Sequence, residues 1–67
     1  MTTDLDIYRS AHALIQRDGE AAAMEAAMKA DAMLDKGDLD GLAVWRRVLR
    51  AVEELRRSDP APGARVH

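Results

Sequence analysis

Residues 35–41 read DKGDLDG, three aspartates and two glycines in seven positions. Two readings compete: a loop that holds a cation, or a break between two helices. An EF-hand calcium loop needs oxygen ligands at its positions 1, 3 and 5, glycine at 6 and glutamate at 12. With Gly41 at the glycine place, Asp38 and Asp40 fall on ligand places, but Lys36 and Arg47 take the first and last. Both carry the wrong charge. The helix break explains the residues better. Gly37 ends one helix in the left-handed conformation, Asp38 caps the next, and Asp40 complements the positive end of its dipole. Gly41 stands out, because glycine inside a helix costs about 1 kcal/mol relative to alanine. Its presence predicts close approach by a neighbouring helix.

Downstream of this break a helix is expected over about 39–57. Val44, Trp45, Val48, Leu49, Val52 and Leu55 form one apolar stripe, with Leu42 at its edge. Arg46, Arg50, Glu53, Glu54 and Arg57 lie opposite, and the spacing predicts ion pairs of Arg50 with Glu54 and of Glu53 with Arg57. Upstream, a second helix is expected over about 20–36. Ala22, Ala23, Ala26, Ala27, Ala30, Met33 and Leu34 fill one broad arc. Met24 and Met28, with Ala21 and Ala32, form another on the far side, bordered by Asp31 and Asp35. A helix that is apolar on two sides sits between two neighbours, so Met24, Met28, Ala21 and Ala32 are the candidate interface. In a two-fold dimer that patch would meet itself.

The first helix is expected over about 4–17, with Ile7, Ala11, Leu14 and Ile15 on one face and Tyr8 extending it. Thr3 and Asp6 have the spacing of a capping box, and Gly19 supplies the stop. The links are short, so consecutive helices should be antiparallel neighbours. The expected fold is all-α: three antiparallel helices, forming a small bundle or a helical hairpin plus a third helix. It occupies residues 1–58, and the segment 59–67, rich in proline and glycine, is expected to be disordered. Trp45, Val48, Leu49 and Val52 should share a core with Ile7, Leu14, Ile15 and Leu34.

Composition narrows the function. The chain has 67 residues and no cysteine, so disulfides and thiolate metal sites are out. A reducing cytoplasm is the expected compartment. No apolar run reaches the roughly 20 residues needed to cross a bilayer, and the first ten residues lack a signal peptide's basic and apolar regions. The formal net charge of −2 argues against general nucleic-acid binding. No zinc spacing, phosphate loop or nucleophile triad is present. His12 has only Tyr8 and Gln16 at helical spacing, and His67 ends the chain. No cofactor, metal or catalytic residue is expected.

Residues 32–60, AMLDKGDLDGLAVWRRVLRAVEELRRSDP, resemble one tetratricopeptide helix pair, with Gly37, Ala43 and Pro60 at or near the family's places. Only one such unit is present, whereas solenoids stack about three. The whole chain is similar to a family of short all-helical alphaproteobacterial proteins without an established function. The likeness rests on the Asp18-Gly19 link, AAMKADAML at 26–34, and GDLDG followed by AVWRR within 37–47. It implies a bacterial, cytoplasmic, all-helical protein and no particular site. The functional expectation is a small non-enzymatic protein–protein interaction module, self-associating as a homodimer or binding another protein. The alternative is a small nucleic-acid-associated regulator that contacts phosphate through Arg46, Arg47, Arg50 and Arg57. A ligand-binding or catalytic role for Tyr8 and His12 ranks third.

Overall fold

A computed structural model describes residues 3–58, so the expected disorder of 59–67 lies outside the described residues. Within them the chain is all-α. Helix α1 spans Asp4–Asp18, a 3-10 turn follows at Gly19–Ala21, α2 spans Ala22–Lys36 and α3 spans Leu39–Ser58. The ends of α1, the stop of α2 and the start of α3 have local chemical causes. Thr3 Oγ1 accepts from the Asp6 N–H at 3.2 Å, while the Asp6 carboxylate accepts from the Thr3 N–H at 3.3 Å. This capping box satisfies amides that the first turn leaves without helical partners. Gly19 then turns the chain with φ 57° and ψ −122°.

The DKGDLDG stretch is a helix break. Gly37 adopts φ 74°, its N–H donates to the Leu34 carbonyl at 3.0 Å, and the Asp38 N–H donates to that of Met33 at 2.9 Å. These paired bonds are the Schellman closure of α2. Asp38 Oδ1 accepts the Gly41 N–H at 2.8 Å and caps α3. A Cβ on Gly41 would lie 2.7 Å from both the other Asp38 carboxylate oxygen and the Met33 sulfur. Glycine therefore admits the cap and a side chain of α2 at the same point.

Helix α3 is the hub. It packs most extensively on α2, next on α1, while α1 and α2 touch least. The core joins Ile7, Ala11 and Leu14 of α1 with Ala22 and Ala26 of α2 and Val48, Ala51 and Val52 of α3. Ile15, Val44, Trp45, Leu49 and Leu55 pack against it and remain partly accessible. Consecutive helices run antiparallel, so α1 and α3 run the same way. Asp4 pairs with Arg47, and the Tyr8 hydroxyl donates to Glu54 Oε1 at 2.8 Å. At the far end Arg56 Nη1 donates to the Gly19 carbonyl at 3.3 Å and holds the α1–α2 turn against α3.

One expectation about the core fails. Leu34 was expected inside and is 53% exposed. The ion pair of Asp4 shows why: α1 begins level with Arg47, two turns into α3. The last turn of α2 and the first turns of α3 project beyond it, and Leu34 lies on this overhang. The expected pairs of Arg50 with Glu54 and Glu53 with Arg57 also fail to form. Among the described residues the ion pairs are Arg17–Asp18 and Arg47–Asp4, and Glu54 is engaged by Tyr8.

Candidate interaction surface

Small side chains take many of the buried positions, and several large apolar ones remain outside. Among the described residues, five of the nine that are buried are alanines: Ala11, Ala22, Ala26, Ala30 and Ala51. Meanwhile Met24, Met28, Leu5, Leu34 and Leu39 are each more than half exposed. Alanines let α2 approach its neighbours closely, but they also leave the larger apolar side chains on outer faces.

On α2 the outer face carries Met24 at 63% and Met28 at 58% exposure. Ala21 is exposed beside them and Ala32 is half-buried. The four residues singled out from the sequence thus lie around one side of α2, away from Ala22, Ala26 and Ala30. Asp31 and Asp35 continue the same face toward the C-terminus of the helix, and both are exposed.

On α3 the outer face begins with Leu39, at 68% the most exposed large apolar side chain among the described residues. Ala43, Arg46, Arg50 and Arg57 follow along it, all exposed. A shallow cleft of about 360 Å³ runs here, lined by Leu39, Leu42, Ala43, Arg46, Arg47 and Arg50. The alternative phosphate-contacting set is therefore split. Arg46, Arg50 and Arg57 point outward, whereas Arg47 is held by Asp4. Leu39 and Ala43 are the residues that sequence reasoning missed. Their signal was the helical spacing from Leu39 through Ala43 to Arg46 and Arg50.

A second groove, about 180 Å³, lies between α1 and α3 and includes Ile7, Tyr8, Arg50 and Glu54. The Tyr8 phenol is held above its ordinary pKa, first by the hydrogen bond to Glu54, then by desolvation and by the negative charges of Glu54 and Asp4. A phenol held protonated and donating to a carboxylate is a structural tie between two helices. His12 sits one turn further along α1, exposed. Among the described residues no three His, Cys, Asp or Glu side chains are grouped to hold a metal ion, and no helix is long and apolar enough to cross a membrane.

Comparison of the chain with protein-family models, curated proteins and solved structures finds no match.

Proposed function

We propose that this protein is a small, non-enzymatic helical module that works by protein–protein contact and associates with itself. The observation that carries the reading is the large apolar surface left outside: alanines take five of the buried positions among the described residues, while Met24, Met28, Leu34 and Leu39 are each more than half exposed. A domain this small gains little stability from its own core, and oligomerisation is a usual reinforcement. Methionine suits an association surface because its unbranched thioether adapts to an irregular partner. The cysteine-free composition fits a reducing compartment, and a bacterial cytoplasm belongs to the same proposal.

The test is the solution mass by sedimentation or light scattering, for the parent and for the Met24→Gln, Met28→Gln variant. The parent should exceed the monomer mass at sub-millimolar concentration, and the variant should return to the monomer without losing helicity. A parent that stays monomeric overturns self-association. The nucleic-acid reading is weaker because Arg47 is already paired and Glu53 interrupts the arginine face. It requires salt-dependent binding of duplex DNA or RNA in a gel shift.

A further inference from the structure

The outer faces of α2 and α3 carry two stripes written in the same order. Met24, Met28, Asp31 and Asp35 follow one another at intervals of four, three and four. Leu39, Ala43, Arg46 and Arg50 follow at the same intervals on α3. Such spacing keeps each set in line along one side of its helix. All eight residues are exposed. Each stripe faces away from the buried side of its own helix, marked by Ala22, Ala26 and Ala30 on α2 and by Val48 and Val52 on α3.

Laid side by side in the same direction, the two stripes match at every place. Met24 meets Leu39, Met28 meets Ala43, Asp31 meets Arg46 and Asp35 meets Arg50. Within one chain this cannot happen, because α2 and α3 run antiparallel and turn their apolar inner sides to each other. We propose that the occupant of each stripe is a second copy of this chain: α2 of one copy lies parallel on α3 of the next. The proposal rests on the self-association reading and supplies its geometry.

Three observations support it. The cleft lined by Leu39, Leu42 and Ala43 offers an apolar seat for methionine side chains. Asp31, Asp35, Arg46 and Arg50 have no ion pair among the described residues, so each charge is available to a partner. Asp35 also lies in the last turn of α2, where the helix dipole disfavours a carboxylate and an incoming guanidinium would relieve it. Other pairings match poorly. Parallel α2 on α2 sets Asp31 against Asp31, parallel α3 on α3 sets arginine against arginine, and antiparallel α2 on α3 sets Met24 against Arg50. An antiparallel α2 pair centred on the methionines brings neither Asp31 nor Asp35 an arginine from the α3 stripe.

The interface joins two different surfaces, so each copy in a pair keeps one stripe open. Growth continues until a ring closes or a chain extends. Exposed charge pairs contribute weakly and are screened by salt, so the assembly should be modest in affinity and salt-sensitive.

The test is a charge swap read by sedimentation velocity at low salt, with helicity followed by circular dichroism. Four chains are compared: the parent, Asp31→Lys with Asp35→Lys, Arg46→Glu with Arg50→Glu, and the chain with all four changes. The parent should form species larger than a dimer as concentration rises. Each double variant should lose on the order of tenfold or more in association constant, because like charges then face each other. The fourfold variant, and an equimolar mixture of the two double variants, should recover assembly. A folded fourfold variant that stays monomeric overturns the stripe pairing. An Arg46→Glu, Arg50→Glu chain that assembles like the parent also overturns it, and leaves self-association through the methionine face standing. A monomeric parent overturns both. The parent alone gives a check that needs no variant: assembly indifferent to added salt would overturn the pairing.

Discussion

Tyr8 is the chain's one tyrosine, so its phenolate absorbance reports a single group. With the folded pKa raised above the ordinary 10.0, the phenol in the unfolded chain ionises first as pH rises. The stability contributed by the Tyr8–Glu54 bond is therefore fully present below pH about 10 and declines above it. Titration of the folded protein should place the phenolate midpoint above that of the denatured chain, and Glu54→Gln should bring it back down. Coincident midpoints in the folded and denatured parent would rule out this tie. The glycines allow a second test of single residues. Gly37 occupies the left-handed helical region, which asparagine tolerates, whereas Gly19 at φ 57° and ψ −122° lies in a region open essentially to glycine. Gly37→Asn should cost little and Gly19→Asn distinctly more, compared by urea denaturation. Both stops were legible in the sequence, but the difference between them was not, because φ and ψ depend on where the following helix must go.

At the scale of the helices, α3 depends on Asp38 for its start. Asp38→Ala should cost about 1 kcal/mol, the usual worth of an N-cap, measured by thermal or urea unfolding. Leu14, 7% exposed, carries α1 onto α3, and Leu14→Ala should cost about 2–5 kcal/mol, a large share of the stability of so small a domain. Trp45 is only partly buried, so Trp45→Ala should fall below the roughly 3–5 kcal/mol expected of a fully buried tryptophan. Periodicity identified the inner side of each helix well. Ile7, Ala11, Leu14, Ala22, Ala26, Val48 and Val52 are all inside as their spacing implies. It failed at Leu34 because a repeat of 3.6 residues reports which side of a helix is apolar, and says nothing about how far the neighbouring helix extends. The same gap hid the contact of Tyr8 with Glu54, 46 residues away, which depends on the axial offset of α1 against α3.

At the scale of the molecule, the exposed methionines were legible from their place opposite the alanine arc. The matching stripe on α3 was harder to see, because Leu39 and Ala43 read as the edge of a helix start. It becomes visible only when the faces left over after core formation are compared with each other. The late entry of α1 has a consequence for motion. Because α1 touches α2 least and leaves the hairpin's turn end uncovered, the α2–α3 hairpin can persist while α1 lifts away. Such an opening exposes Ile7, Ala11 and Leu14 and leaves the Val48–Val52 backbone inside its helix. Amide hydrogen exchange should then divide the chain into two kinetic classes, α1 amides exchanging through the cheaper opening and those around Val48–Val52 only through global unfolding. A single uniform protection factor across α1 and α3 would mean that the three helices let go together.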